Sequence, residues 1–453
     1  MDFSGKKILV FGTGISGIVA AKLLLNRQAQ VILFDGNRDL DRERILEEFP
    51  SASAVTLYTG ELPAEASSAL DLAVLSPGVP TDLPLVCSFR EQGIPVWGEV
   101  ELAYRCSKGF VLAVTGTNGK TTTTSLLGEI MKNYFESVKV VGNIGIPYTS
   151  VVDDMTDETV TVAEISSFQL ETVDSFCPRV SAVLNITPDH LNRHHTMENY
   201  IAAKLAIAKN QTEDQVCVLN YEDEILRERA DEIRARIVYF SSLRRLDEGL
   251  YLEGSRIICA LNGTEETVIS TDDLNILGRH NYENVMAAVA MAVSVGVPME
   301  NIRDTLTDFR AVEHRIEYVT EKRGVRFYND SKGTNPDAAI KGIQAMDRPT
   351  CLIGGGYDKD STYKEWIESF DGKVKLLVLI GQTREKIAAE AKNCGFTDYV
   401  FADSLQEAVD LCYEKAKTGD AVLLSPACAS WGMFPNYEVR GKMFKEMVHA
   451  LEE

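Results

Sequence analysis

The sequence predicts an α/β protein of three domains: an N-terminal Rossmann-like nucleotide-binding domain, a central P-loop ATPase-like domain and a C-terminal Rossmann-like doubly wound domain. Two glycine-rich loops each follow an apolar strand and precede a helix, in KILVFGTGISG and VLAVTGTNGKTT. Towards the C-terminus, apolar strands alternate again with helices such as REKIAAEAKN. A chain of 453 residues also exceeds one ordinary core. We place the domains at residues 1–99, 100–311 and 312–453.

Composition excludes several classes of protein. Lys and Arg total 46 against 67 Asp and Glu, a net charge of −21, which argues against nucleic acid or an anionic membrane as partner. No apolar run approaches about 18 residues, and the N-terminus runs directly into a strand without the regions of a signal peptide. The nine cysteines include no C-x-x-C pair, which is typical of buried thiols. We therefore expect a cytoplasmic protein.

The first domain combines a G-x-G-x-x-G turn with a second strand, VILFD, that ends on Asp35. A dinucleotide fold places there the acid that binds ribose hydroxyls. A further strand, LAVLSPGV, runs into a turn at Gly78. The next phosphate loop begins at Thr115, before a second mononucleotide-binding half is complete. This favours a single nucleotide or a nucleotide-sugar over NAD, with a tight turn that binds nothing as the alternative.

The second domain opens with a phosphate loop that departs from the G-x-x-x-x-G-K-[ST] consensus, because Val114 stands at the first glycine position. The physical features remain. Backbone N–H groups and a helix N-terminus face the phosphates, Lys120 reaches the β and γ oxygens, and the Thr121 hydroxyl can ligate Mg²⁺. Such a loop with no ligand is uncommon in this strand–helix context.

Polar residues follow three further strand-like runs, in VVGNIGIP, VAEISSFQLE and LNITPDHLNRHH. Asn143, Glu164 and the pair Asp189 and His190 are therefore expected at the carboxyl ends of neighbouring strands, where open α/β sheets bind ligands. His190 is favoured for a magnesium or phosphate role. A core or surface role is an equal alternative for His194, His195 and His449.

Eight motifs in order resemble those of the Mur ligases of peptidoglycan synthesis: TGTNGKTT, EISSFQLE, NITPDHLNRH, AAKLAIAKN, GRHNYENVMAA, EHRIE, NDSKGTNP and LLSPACASWGMF. FGTGISG, SPGV and CAS look most like the member that adds D-glutamate to UDP-N-acetylmuramoyl-L-alanine. The resemblance spans nearly the whole chain. It implies an ATP-dependent reaction in which the acceptor carboxylate attacks the γ-phosphorus, and the D-glutamate amine then displaces phosphate from the acyl phosphate. We expect a monomer, since no heptad pattern stands out.

The resemblance also implies the residues that bind ATP and magnesium. The expected ATP contacts are Gly116, Thr117, Asn118, Gly119, Lys120, Thr121, Thr122, Asn281, Asn284, Arg315 and Asp330. Two Mg²⁺ ions are expected, with ligands from Thr121, Glu164, His190 and Lys204, the last as a carbamate. The expected catalytic residues are Lys120, His190, Lys204 and Lys332. Read without the resemblance, Lys204 lies in an alanine-rich run, YIAAKLAIAKN, and a solvated helix face would be the default.

The two remaining substrates are assigned in the same way. The expected UDP-sugar contacts are Ser16, Asp35, Gly78, Asn143 and His190. Gly36 and Asn37 stand where the family has a basic residue, which leaves the uracil contacts open. The expected D-glutamate contacts are Thr334, Lys359, Ser430 and Tyr437, because a dicarboxylate needs cations and hydroxyl donors.

Other functions remain open at this point. An NAD-linked oxidoreductase fused to a P-loop domain would explain the first glycine-rich turn and Asp35. A nucleotide-sugar-binding regulator would bind ATP without turnover. Within the ligases, another Mur-type enzyme or a folylpolyglutamate synthase-like enzyme is the alternative, although the latter lacks a glycine-rich domain ahead of its P-loop.

Overall fold

The computed structural model describes residues 1–51, 54–261, 263–310 and 313–452. Its three sheets confirm the predicted α/β architecture. Residues 1–270 and 283–306 form one compact unit, and residues 271–282 and 307–453 form a second. The boundaries predicted after residues 99 and 311 stay predictions, and residues 311 and 312 lie outside the described part of the chain.

The first sheet is parallel, with strand order β3-β2-β1-β4-β5. Its strands are β1 Lys7–Phe11, β2 Gln30–Asp35, β3 Thr56–Thr59, β4 Leu72–Leu75 and β5 Val96–Gly98. The associated helices are α1 Ile15–Asn26, α2 Arg42–Leu46, α3 Ala64–Ser67, α4 Pro84–Glu91 and α5 Glu99–Cys106. Alternate residues of β1 enter two different cores, with Ile8 in one and Leu9 in the other. Burial on both faces explains the continuous apolar runs of these strands.

The second sheet has strand order β14-β13-β12-β11-β10-β9-β6-β8-β7. Its strands are β6 Phe110–Thr115, β7 Val138–Gly142, β8 Val160–Glu164, β9 Val180–Val183, β10 Val216–Asn220, β11 Arg236–Ser241, β12 Gly249–Glu253, β13 Arg256–Leu261 and β14 Thr264–Ser270. The helices of this segment are α6 Lys120–Lys132, α7 Ser167–Leu170, α8 Leu191–His194, α9 Met197–Leu205, α10 Glu224–Glu228, α11 Arg279–Ser294 and α12 Met299–Asp308. Strands β7, β8, β6 and β9 are neighbours and parallel, so their carboxyl ends share one edge.

The third sheet has strand order β15-β16-β20-β17-β18-β19, and only its edge pair β15 and β16 is antiparallel among the described strands. Its strands are β15 Glu317–Lys322, β16 Val325–Asn329, β17 Thr350–Gly354, β18 Val374–Leu379, β19 Tyr399–Phe401 and β20 Ala421–Leu424. Its helices are α13 Pro336–Gln344, α14 Lys364–Glu368, α15 Arg384–Asn393, α16 Leu405–Lys415 and α17 Tyr437–Ala450. The third sheet has two hydrophobic cores: one contains Trp366 of α14, and the other contains Phe444 of α17. Helices therefore pack on both faces of the sheet, which confirms that it is doubly wound.

Two further sequence-based expectations concern the whole chain. The nine cysteines are free thiols, six of them buried. Among the residues that the structure describes, none of the helices is both long and apolar enough to span a bilayer.

Candidate functional site

The loop between β6 and α6 has the backbone geometry of a phosphate cradle. Gly119 caps α6 with φ of 86°, and Gly116 has φ of 150°, a region that side chains rarely adopt. A Cβ atom on Gly119 would lie 2.2 Å from Oδ1 of Asn284. Glycine is therefore required here, and the helix N-terminus is left open to an anion.

Side chains around the loop hold it in shape. Lys120 Nζ donates to the carbonyl oxygens of Gly116 at 2.9 Å and Thr117 at 3.0 Å. Asn185 lies beyond β9, and its Oδ1 accepts from the Asn118 N–H at 2.8 Å. Its Nδ2 donates back to the Asn118 carbonyl at 3.1 Å. Residue types and spacing alone gave no indication of the role of Asn185, because it contacts the loop from a distant segment.

Glu164 ends β8, next to the strand that carries the loop, and only 2% of it is exposed. Its Oε1 accepts from Asn143 Nδ2 at 2.8 Å. No donor within the described ranges reaches its buried Oε2. A buried carboxylate oxygen without a donor is unfavourable, and such an oxygen suits a divalent cation. The described residues contain no group of three or more His, Cys, Asp or Glu side chains placed for a metal.

Lys204 lies on α9 and is 2% exposed, so the prediction of a solvated helix face from its local sequence is wrong. Burial lowers the pKa of Lys204 well below its usual value, and the nearby charge of Lys120 lowers it further. Its Nζ lies 4.7 Å from the centre of the Tyr200 ring. The Tyr200 hydroxyl is 3.0 Å from Thr117 Oγ1, which ties α9 to the phosphate loop. Tertiary packing therefore turns an alanine-rich helix face towards the loop.

The histidine cluster divides by burial. His190 is exposed, with φ of 51° at the start of α8, and its ring centre is 4.9 Å from that of Phe168. His194 is buried, and its Nε2 is 3.0 Å from Ser167 Oγ. Burial lowers the pKa of His194 below its usual value, and the nearby carboxylate of Glu171 opposes this shift. The remaining two histidines of the set, His195 and His449, are exposed.

The glycine-rich turn after β1 is closely packed. A Cβ atom on Gly17 would lie 1.9 Å from the carbonyl oxygen of Gly12, the first glycine of the turn. Asp35, at the end of β2, accepts from the N–H of Thr13 at 3.0 Å and from its hydroxyl at 2.8 Å. The carboxylate therefore organises the turn itself. The other predicted UDP-sugar contacts in this domain are half-buried Ser16 in α1 and exposed Gly78 after β4.

Several predicted residues belong to the second compact unit. Asp330 follows β16, is 6% exposed and accepts from Ser425 Oγ at 2.6 Å. Burial raises the pKa of Asp330 to about 7. Lys332 Nζ lies 5.2 Å from the Tyr437 ring centre. In the same unit Arg315 is half-buried, Thr334 is half-buried, and Asn281 is buried.

Arg440 in α17 is a residue that the sequence patterns missed. It is 1% exposed, and it donates to Ser331 Oγ at 2.9 Å and to the Ser331 carbonyl at 2.7 Å. A third bond, of 3.3 Å, reaches the carbonyl of Cys428, two residues before buried Ser430. Arg440 thus joins the loops after β16 and β20, which carry two groups of predicted contacts. Lys359 is exposed and lies 5.1 Å from the Trp431 ring centre.

Comparison with known families divides the chain into three matches. Residues 6–98 match the family described as Mur ligase MurD-like, N-terminal domain. Residues 114–292 match the Mur ligase middle domain. Residues 314–428 match the family described as Mur ligase, glutamate ligase domain.

Individual relatives extend these matches over the full length. A UDP-N-acetylmuramoylalanine–D-glutamate ligase of Lachnoclostridium phytofermentans is 58% identical over 453 residues, covering 100% of both chains. The ligase of the same name from Clostridioides difficile is 46% identical over 453 residues, also covering 100% of both chains. Among solved structures, the Thermotoga maritima UDP-N-acetylmuramate-alanine ligase has a TM-score of 0.59 at 19% identity, covering 98% of this chain and 99% of that one. The Thermotoga maritima MurF ligase in complex with ADP has a TM-score of 0.60 at 18% identity, covering 93% of this chain and 95% of that one.

Proposed function

Because the chain belongs to the Mur ligase family, we propose that it is the ligase that joins D-glutamate to UDP-N-acetylmuramoyl-L-alanine with conversion of ATP to ADP and phosphate. The observation that carries the proposal is full-length identity of 46% to 58% with relatives that bear that enzyme's name. The reaction would supply a precursor of peptidoglycan. We place it in the cytoplasm, where ATP is available, and expect a monomer.

The phosphate loop supports the use of ATP. Its positive-φ glycines bring backbone N–H groups and the α6 N-terminus to one point, and Lys120 begins that helix. Lys120 and Lys332 are proposed as the catalytic cations that would offset the charge developing on the transferred phosphoryl group. Further ATP contacts are proposed for residues 116–122, Asn281, Asn284, Arg315 and Asp330.

The residues present fit Mg²⁺. Glu164 offers the buried Oε2 described above, and Thr121 offers a hydroxyl in the first turn of α6. His190 and a carbamate on Lys204 would hold a second ion. When bound, Mg²⁺ supplies positive charge that stabilises the phosphates of ATP.

Burial of Lys204 supports its proposed carbamate. An ammonium group is unfavourable in this setting, because burial and the charge of Lys120 both lower the pKa of Lys204. The neutral amine forms an N–C bond with CO₂ and releases a proton, which leaves an anionic oxygen ligand. The carbamate would therefore replace an unfavourable buried cation by a group that Mg²⁺ prefers.

The proposed ligase reaction requires the protein mainly to position anionic groups. A carboxylate is a poor acyl donor because hydroxide is a poor leaving group, and phosphorylation of the acceptor removes that obstacle. UDP-sugar contacts are proposed from Ser16, Asp35, Gly78, Asn143 and His190. D-glutamate contacts are proposed from Thr334, Lys359, Ser430 and Tyr437. Exclusion of water around the acyl phosphate would protect it from hydrolysis.

The proposal is tested by phosphate release with a matrix of acceptors and amino acids. Release that requires ATP, UDP-N-acetylmuramoyl-L-alanine and D-glutamate together is the expected result. L-glutamate in place of D-glutamate and a folate acceptor in place of the UDP-sugar are the controls. Phosphate release with a different pair would assign another ligase activity, and nicotinamide binding without phosphate release would support the oxidoreductase alternative.

A further inference from the structure

A part-buried ion pair connects the loop after β4 to the segments around α7 and α8. Arg193 Nη2 donates to the carbonyl oxygen of Val79 at 2.8 Å and to Oε2 of Glu171 at 2.7 Å. Thr81 Oγ1 lies 3.4 Å from the same Glu171 oxygen. The side chains of Arg193 and Glu171 are 12% and 13% exposed. One guanidinium therefore holds a backbone carbonyl of residues 76–82 and a carboxylate of the central sheet region at once.

The Arg193 contacts differ in kind from a surface pair on the same loop. His195 Nε2 lies 2.9 Å from Asp82 Oδ2, but both side chains are more than 60% exposed, at 63% and 61%. Exposed pairs contribute little, because water screens them and the side chains lose freedom when they pair. A planar guanidinium bound to two part-buried acceptors is geometrically specific, and lysine cannot reproduce its pair of parallel donors.

Both ends of the Arg193 contact lie close in the chain to proposed site residues. Residues 76–82 include Gly78, a proposed UDP-sugar contact. Arg193 is in α8, three residues after His190, and the His190 carbonyl accepts from the Arg193 N–H at 2.9 Å. Glu171 directly follows α7, in the same segment as Glu164. The Arg193–Glu171 pair therefore connects the 76–82 loop of the first sheet to the segments of the second sheet that carry His190 and Glu164, two proposed Mg²⁺ ligands.

We propose that Arg193, oriented by Glu171, is a positioning residue that fixes the 76–82 loop against α8 and so sets where the UDP-sugar lies relative to the phosphate loop. This inference rests on the proposed function, since it takes the 76–82 loop as part of the UDP-sugar site. Arg193 acts through the Val79 backbone and through α8. It is not assigned a contact with the reacting atoms.

The test separates the two substrates kinetically. Arg193→Lys keeps the charge and loses the pair of parallel donors, so KM for the UDP-sugar should rise about tenfold while KM for ATP stays within about twofold. Glu171→Gln should shift KM for the UDP-sugar in the same direction. Arg229→Lys is the matched control, since Arg229 pairs with Glu198 at 2.7 Å on the surface, and both constants should stay within about twofold of wild type.

A second measurement does not depend on turnover. Hydrogen exchange in residues 76–82 of the ligand-free protein should be faster in Arg193→Lys than in wild type, with the strands of the first sheet unchanged. Unchanged exchange in this loop, an unchanged KM for the UDP-sugar, or an equal rise in both KM values would overturn the inference. If wild type itself shows no activity with the UDP-sugar and D-glutamate, the proposed function fails, whereas the exchange result still reports whether Arg193 fixes the loop.

Discussion

The buried carboxyl group of Asp330 should make the stability of the protein depend on pH in a way that one substitution removes. Burial raises the pKa of Asp330 to about 7 from an ordinary value of 3.8. Between these values the folded protein binds a proton that the unfolded chain has released, so stability falls as pH rises through this window. At roughly 1.4 kcal/mol per pH unit, the loss reaches at most about 4 kcal/mol above pH 7. Asp330→Asn removes the titrating group and should recover most of it.

Urea unfolding of wild type and Asp330→Asn is measured near pH 5 and near pH 8 by tryptophan fluorescence, to which buried Trp366 of the same compact unit contributes. The difference in free energy of unfolding between Asp330→Asn and wild type should be about 2 to 3 kcal/mol larger near pH 8 than near pH 5. It should not increase further above pH 7. Asp337→Asn, an exposed acid at the start of α13, is the control and should show no such growth. An advantage of Asp330→Asn that is the same at both values would refute the account of a proton held by burial.

Three further predictions concern the ligand sites. Lys204→Ala should lose most of its turnover, and acetate should restore part of it by supplying carboxylate oxygens. Activity within about threefold of wild type, a loss of under about 1 kcal/mol of transition-state stabilisation, would contradict the carbamate. Asp35→Ala should weaken UDP-sugar binding by roughly 1 to 3 kcal/mol in a calorimetric titration, and tight NAD binding with no UDP-sugar binding would contradict the assignment of the first domain. Gly119→Ala should weaken ATP binding at least about tenfold, because its Cβ would clash with Asn284 at 2.2 Å. Gly296 also has a positive φ, but a Cβ there would have no neighbour within 4 Å, so the control variant Gly296→Ala should bind ATP as wild type does.

The parts of the fold that follow from local sequence were predictable. A strand, a glycine-rich turn and a helix stand next to one another in the chain, so the loop at residues 116–119 and the start of α6 could be located from residue types alone. The strand ends at Asn143 and Glu164 follow the same logic, since a β-branched run ends there in polar residues.

The remaining features depend on contacts between distant segments. Local composition gives Lys204 an exposed helix face, and only the packing of α9 makes it 2% exposed. Arg440 and Ser331 are 109 residues apart in sequence, and Arg193 and Val79 are 114 residues apart. Hydrogen bonds over such separations leave no periodic pattern, so a single sequence cannot indicate them.

The route through an acyl phosphate is tested most directly by an isotope transfer. UDP-N-acetylmuramoyl-L-alanine labelled with heavy oxygen in its terminal carboxylate is incubated with the protein, ATP and D-glutamate, and the released phosphate is analysed by mass spectrometry. If a carboxylate oxygen attacks the γ-phosphorus, that oxygen leaves with the phosphate when the amine displaces it. The account predicts one heavy oxygen in each phosphate released. Amide formation with unlabelled phosphate would contradict it.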